Sequence, residues 1–320
     1  MCYSCHVFEN IPQLTVRAPA KINLHLEVKD TRSDGFHNLE SIFLAMDFGD
    51  ILHFEPIPGT NAVDIAMEQP DLSKTELKRK SKQCSIPLQS NIIYKALSMF
   101  RDKTGFKQGL KIKVEKYIPI GGGLGGGSSD AAAALLVLNK MAGSPLSRGS
   151  LLDLAASLGS DVPFFVHETP AALITGRGEF IKPIKAPCLF FVLVNPGFPS
   201  NTAAAFRLLD EYRKSGKRNE KLEKRKEESE KGKNVQLHFS FPFSHSSFFN
   251  DFLPVFDEKE KTIYYEIISQ LQESGADYAS LSGAGSTCFG VFKDRENADK
   301  AARVLKDKWG FVECCGLWTE

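Results

Sequence analysis

The chain predicts an α+β fold in two domains, because strand-length and helix-length patterns follow one another without a regular βαβ rhythm. Leu110 to Ile118 sets Ile112 and Val114 against lysines at period two, as a half-buried strand does. It runs into Gly121–Gly127, six glycines in seven positions, and then an Ala/Leu helix reaching about Met141. After Gly143 and Ser144-Pro145 a second helical pattern follows, Leu151 to Leu158, where a βαβ unit needs a strand. A length of 320 residues exceeds what one core usually serves, so the division falls at 15–172 and 173–320.

The remaining elements follow from local pattern. Leu14 to Val28 is a strand in which Pro19 removes a donor and suits an edge or bulge. Asp34-Gly35 marks a hairpin turn into a strand from about Asn38 to Asp47, with Ile51 to Glu55 and Ala62 to Glu68 continuing the sheet. Lys74 to Cys84 is basic and polar, an exposed loop. Asn91 to Lys103 is helical, and Leu189 to Val194 is a buried strand ended by Asn195-Pro-Gly. Ile263 to Ser274 is an amphipathic helix, Tyr278 to Ser282 and Cys288 to Phe292 are strands, and Asn297 to Lys308 is a last helix. Between Glu211 and Lys233, 16 of 23 residues are charged, so an insertion over about 211–236 is solvated and helical at most in part.

Composition excludes several functions. A net charge of +1 and 42% hydrophobic residues do not describe a dedicated nucleic-acid binder. No apolar run reaches the roughly 18 residues of a membrane span, and the first residues lack a leader pattern, so a cytoplasmic protein is expected. Seven cysteines, an odd number, suit reduced thiols better than a disulfide framework. Cys2-Tyr-Ser-Cys5-His6 matches the c-type haem signal, but without an export signal it is read as a tail. No obligate protein partner is evident.

The glycine run carries the chemistry. Glycine permits positive φ and close backbone approach to a ligand. The helix that follows offers unpaired N–H groups and a positive dipole end, so loop and helix together make an anion cradle suited to a nucleotide's phosphates. A Walker-type loop is excluded, since no lysine lies between Lys116 and Lys140. Gly121, Gly123 and Gly126 fit the dinucleotide spacing only because any glycine-rich run does.

Three segments in order resemble the motifs of the GHMP kinases: Ala18-Pro-Ala-Lys-Ile-Asn-Leu-His-Leu26, Pro119 to Ser129, and Leu281-Ser-Gly-Ala-Gly-Ser-Thr-Cys-Phe-Gly290. Arg32-Ser-Asp-Gly-Phe-His-Asn-Leu-Glu40, the doubled triple glycine and Leu158-Gly-Ser-Asp-Val-Pro-Phe-Phe165 are similar to members acting on 4-diphosphocytidyl-2-C-methyl-D-erythritol in the non-mevalonate isoprenoid pathway. The resemblance implies the two-domain GHMP fold, an N-terminal domain like ribosomal protein S5 and a C-terminal α/β-plait-like domain. It implies ATP-dependent phosphorylation of the 2-hydroxyl of that CDP-linked alcohol; a homoserine- or mevalonate-type kinase and a non-catalytic nucleotide-binding relative stay open.

The resemblance also distributes roles. Pro119, Gly121, Gly122, Gly123, Leu124, Gly125, Gly126, Gly127, Ser128 and Ser129 would hold the ATP phosphates, with Ser129 reaching Mg²⁺ and Gly283 and Gly285 forming the third glycine motif. Lys116 and Asn91 are candidates for the adenosine side. Asp161 is the general-base candidate, although an aspartate before Val-Pro is also a good N-cap. Asp130 suits the first helical turn by the dipole alone and competes as a metal contact. Lys21 and Asn23, on one strand face with His25, would supply a cation and orient the acceptor hydroxyl. Phe36 and Phe206 would stack on the cytosine or else pack in a core, His37 would read its edge, and Thr202 lies beside Phe206. Ala203 stands where the family often has proline.

Overall fold

The structure, a computed structural model, describes residues 13–70, 81–84, 86–215 and 248–319. The Cys2/Cys5/His6 tail, the basic stretch before Ser81 and the charged run beyond Ser215 lie outside them. In chain order the elements are β1 (Leu14–Thr31), β2 (His37–Ile57), β3 (Val63–Pro70), β4 (Ser81–Cys84), α1 (Ile92–Thr104), β5 (Gly109–Glu115) and α2 (Gly126–Met141). Then come α3 (Arg148–Leu158), α4 (Val162–Val166), β6 (Ala171–Gly176), β7 (Phe180–Pro183), β8 (Phe190–Asn195) and α5 (Thr202–Lys214). The chain ends with α6 (Glu258–Glu273), β9 (Tyr278–Leu281), β10 (Cys288–Phe292), α7 (Arg295–Lys306) and β11 (Phe311–Gly316).

Helices and strands are mixed without βαβ repetition, as the pattern predicts. The chain forms two compact units interleaved along the sequence: the chain to Ala18 with Gly49–Tyr117 and Gly127–Val166, and Pro19–Phe48 with Ile118–Gly126 and His167–Glu320. Among the described residues no helix is long and apolar enough to cross a membrane. Cys188, Cys288, Cys314 and Cys315 are free thiols.

In the first unit, Ile51–Ile57 of β2 pairs antiparallel with β5, β3 pairs parallel with β5, and β4 pairs antiparallel with β3. Leu110, Ile112 and Val114 are fully buried while Lys111 is exposed, which is the expected alternation. Asn91 caps α1 by accepting from the Ile93 N–H at 2.9 Å, and Gly105 ends it at φ 71°. α2 is buried almost all round, so it is a core helix rather than an amphipathic surface one. α1 packs on α3, and α3 on the wholly buried α4.

In the second unit, β11, β8, β10 and β9 form an antiparallel sheet in that order. Its alternation divides the core. Val192, Val194, Cys288 and Phe292 meet Leu209, Tyr264, Ile267, Leu271 and Leu305 from the helices. Phe191, Leu193, Phe289 and Val291 meet Ile22, Leu24, Ile42, Leu44 and Met46 from β1 and β2. In the same unit Leu39–Leu44 of β2 pairs antiparallel with β6, and β6 with β7.

Two expectations change. β2 runs unbroken through Gly49-Asp50 where two strands were expected, because the Asp50 carboxylate is fully buried and takes the Tyr117 N–H at 2.6 Å. Ser81–Cys84 is strand rather than loop, since it finds a pairing edge on β3 at Met67–Pro70. The helix α5 and the strands β6, β7 and β11 were not anticipated. Phe289 is fully buried between sheet layers; Phe289→Ala is expected to cost about 3–5 kcal/mol, measured by urea denaturation.

Candidate active site

The glycine loop alternates: Gly121, Gly123 and Gly125 take φ 71°, 76° and 70°. Four successive carbonyls turn into the protein. Gly121 accepts from the Ser200 N–H at 2.9 Å, Gly122 from the Thr287 N–H at 3.0 Å, and Leu124 from the Lys21 N–H at 2.9 Å. Gly123 accepts from the Ser282 hydroxyl at 2.9 Å. The electronegative edge of these peptides is thereby satisfied internally, which favours amides for an anion. A Cβ on Gly123 would lie 2.4 Å from the Ser282 carbonyl oxygen and 2.6 Å from that of Gly285. No other residue fits there.

The third glycine motif is the loop's support. Gly283 and Gly285 take φ 57° and 85°. The Asn195 amide donates to the hydroxyls of Ser286 and Thr287 at 3.1 and 3.0 Å, and the Ser200 hydroxyl donates to the Ala284 carbonyl at 2.5 Å.

Lys21 and Asn23 leave β1 on the face opposite Ile22 and Leu24, yet they are only 4% and 3% exposed. Burial demands partners. The Lys21 ammonium donates to Asn23 Oδ1 at 2.6 Å and lies 4.3 Å from the Phe43 ring centroid. The Asn23 amide donates to the Ser41 hydroxyl at 2.9 Å, and Ser41 donates to the His25 carbonyl at 2.5 Å. This polar strand face is therefore not a solvated one.

Phe36 is carried by the turn of residues 32–36. The Arg32 N–H donates to the Phe36 carbonyl at 2.7 Å, the Phe36 N–H donates to Asp34 Oδ1 at 3.1 Å, and Gly35 takes φ 82°. The Phe36 N–H bond holds the Asp34 carboxyl below its ordinary range. Phe36 is 54% exposed, with the Arg177 guanidinium 4.9 Å from its ring centroid. His37 opens β2, and its ring is stacked on Phe206 of α5 at 5.3 Å and 21°. Phe206 thus meets His37 on one side and Phe252 edge-on at 4.9 Å. Thr202 is the first residue of α5.

In the other unit, Ser128 is half-buried at the start of α2 and Ser129 is 1% exposed. Among the described residues the Ser129 hydroxyl, which is buried, has no hydrogen-bond partner, and neither has Asp130 Oδ1. Asp130 Oδ2 accepts from the Lys116 ammonium at 2.6 Å, and Lys116 also donates to Asp50. Burial pulls the Lys116 ammonium down, but Asp130 and Asp50 outweigh it and leave it raised. Burial first, and then the Asp50 charge, push Asp130 up to about 8 against the pull of Lys116. Asn91, besides capping α1, points its amide at the Met67 sulfur at 3.4 Å. Asp161 is half-buried in the turn between α3 and α4, which the Val162 N–H closes onto the Gly159 carbonyl at 3.2 Å.

These positions can be set beside known proteins. Residues 91–169 match the GHMP kinases N terminal domain and residues 245–310 the GHMP kinases C terminal domain. The chain is 34% identical over 303 residues to 4-diphosphocytidyl-2-C-methyl-D-erythritol kinase of Thermodesulfovibrio yellowstonii, covering 92% of this chain and 95% of that one. It is 36% identical over 304 residues to the enzyme of the same name from Dehalococcoides mccartyi, with the same coverage. The chain belongs to the GHMP kinases, in the 4-diphosphocytidyl-2-C-methyl-D-erythritol kinase family. A crystal structure of 4-(cytidine 5'-diphospho)-2C-methyl-D-erythritol kinase superposes with TM-score 0.70 at 26% identity, covering 96% of this kinase and 100% of that chain. An L. major mevalonate kinase in complex with R-mevalonate gives 0.65 at 15% identity, covering 96% of this chain and 97% of that one, a likeness of fold alone.

Asp50, Ser41, Ser282 and Asp210 escaped the sequence reading of this kinase. Only Ser282 stood inside a motif; the others are single polar residues whose partners are distant in sequence.

Asp130 carries a folded-state value raised above 3.8, so the native state binds its proton more tightly. Its contribution to stability is full below that value and is lost as pH rises toward about 8. The stability of the wild type relative to Asp130→Asn should therefore fall between pH 4 and 8, as read by urea denaturation across that range.

Proposed function

We propose that this kinase transfers the γ-phosphoryl group of ATP to the 2-hydroxyl of 4-diphosphocytidyl-2-C-methyl-D-erythritol. Such a transfer needs alignment, charge neutralisation and a destination for the acceptor's proton. The amides of Gly121–Gly127 and the first turn of α2 hold the phosphates in this reading, supported by the inward-turned carbonyls of the loop. Lys21 brings positive charge to the reacting groups, and Asn23, fixed between Lys21 and Ser41, orients the hydroxyl. Asp161 accepts the proton late, as the oxygen bonds to phosphorus, because a carboxylate is a weak base toward a free alcohol.

Mg²⁺ belongs to this reading as well. The buried, unpartnered Ser129 hydroxyl is a hard oxygen donor of the kind the ion prefers, with Asp130 Oδ1 as a second oxygen in the same turn. When bound, the ion neutralises charge on the phosphoryl oxygens. Lys116, held by Asp50 and Asp130, sets the electrostatics of that turn rather than reaching far from it. Asn91 is left for the adenosine side only through its amide, since its carbonyl oxygen caps α1.

The observation that carries the choice of acceptor is the group formed by exposed Phe36 and the stacked His37–Phe206 pair. An aromatic face is worth roughly 1–3 kcal/mol to a nucleobase, and a histidine edge adds hydrogen-bond discrimination. Neither homoserine nor mevalonate has a base to use it. ATP turnover measured with all three alcohols tests the reading: ADP release and a monophosphorylated product are expected with the cytidine compound, and faster turnover of either other alcohol overturns it.

Asp161→Asn is expected to keep ATP affinity and to lower kcat at least about a hundredfold, measured by coupled ADP release and nucleotide titration. Phe36→Ala should raise the KM of the cytidine substrate with little change for ATP; equal effects on both would contradict a stacking role.

A further inference from the structure

Phe206 and Asp210 stand one turn apart on α5, and both meet the same imidazole. Phe206 stacks on the His37 ring, and Asp210 Oδ1 lies 2.9 Å from its Nε2. The His37 side chain is 8% exposed. α5 has little freedom to move these two groups. Asn201 caps its first turn, accepting from the Ala204 N–H at 3.0 Å, and Ala205 and Leu209 are in the core. In its last turn Arg213 donates to the Val28 and Lys29 carbonyls of β1.

A carboxylate has no hydrogen to give, so the short contact to Asp210 places a hydrogen on Nε2. Thr31 Oγ1, 3.2 Å from the same nitrogen, can share it. In the neutral ring Nδ1 is then a bare acceptor. Cytosine presents an amino donor at C4, where uracil presents a carbonyl acceptor. An acceptor fixed opposite that position gains a hydrogen bond from one base and faces a second acceptor in the other.

We propose that Asp210 is a positioning residue that holds His37 as a hydrogen-bond acceptor and so makes the site select cytidine over uridine nucleotides. This rests on the reading that His37 meets the pyrimidine edge. Phe206 supplies the stacking plane for the imidazole, and Asp210 decides which nitrogen it offers. Without Asp210 the neutral ring can exchange tautomers and turn, and its Nδ1–H form accommodates a carbonyl.

The test uses the full chain and two simple probes, CDP and UDP, as inhibitors competing with the cytidine substrate. The wild type should prefer CDP by about tenfold or more. In Asp210→Ala that ratio should shrink by about fivefold or more, the KM of the cytidine substrate should rise by about tenfold, and the KM of ATP should stay within about twofold. A variant that merely loosened the fold would raise both KM values and leave the CDP/UDP ratio in place, which overturns the proposal. The companion variant His37→Ala separates the two layers. If it loses discrimination while Asp210→Ala keeps it, Asp210 is not the positioning group and His37 still reads the base. If His37→Ala keeps the wild-type ratio, the reading of His37 falls and this proposal falls with it.

Discussion

The close approach of two backbones governs the site of this kinase. Gly123 lies against the carbonyls of Ser282 and Gly285 at distances that leave no room for a Cβ. That approach lets the Ser282 hydroxyl and the Thr287 N–H reach the carbonyls of Gly123 and Gly122. A loop of six glycines is otherwise the most expensive kind of segment to order, because glycine loses the most backbone freedom. Here the ordering is offset by bonds from three separate segments, Lys21, Ser200 and Ser282–Thr287. The cradle is therefore a rigid object built from flexible residues. Glycine supplies the conformations and the partners remove the freedom.

Buried charge obeys the same logic within each unit. Lys21 and Asn23 are withdrawn from water but joined to Ser41 and to each other, so their cost is met and their geometry is set. Lys116 binds two carboxylates, and with all three groups ionised the triad would carry a net negative charge at the first turn of α2. Asp130's raised value relieves that, since a proton on it makes the triad neutral. Stability thus responds to that proton. Removal of Lys116 would leave two buried carboxylates without their cation, the arrangement proteins tolerate least.

How much of this was legible in the sequence depended on range. The glycine loop, its helix, the alternation at Ile112 and Val114 and the strands β9 and β10 declared themselves through local spacing. Lys21 and Asn23 were legible only through a family motif, because a polar strand face by itself reads as solvated, and here it is buried. β2 was expected as two strands, Asn38 to Asp47 and Ile51 to Glu55; the Asp50 carboxylate between them is consumed by Tyr117 and Lys116, more than 60 residues away. α5 was missed for a related reason. Its first turn, Thr202-Ala-Ala-Ala, leads into a run dense in charge, and its helicity comes from Leu209 and Ala205 entering the core and from Arg213 bonding β1. Asp210 had no signal at all until α5 was seen against His37.

The division between what is shared and what is particular follows from that geometry. Solved structures similar in fold at 13–17% identity include homoserine and mevalonate kinases, whose named alcohols have little in common. A loop held through its main-chain atoms asks only for glycine at a few positions, so its shape can be kept under such divergence. Under the proposed function, discrimination between acceptors falls to side chains, and Phe36, His37, Phe206 and Asp210 would supply them. They occupy a hairpin turn and the first helix after β8, elements that touch the sheet core through only a few residues such as Ala205 and Leu209. Changes there cost the fold little, so the same frame could be fitted to a new alcohol without disturbing the glycine loop.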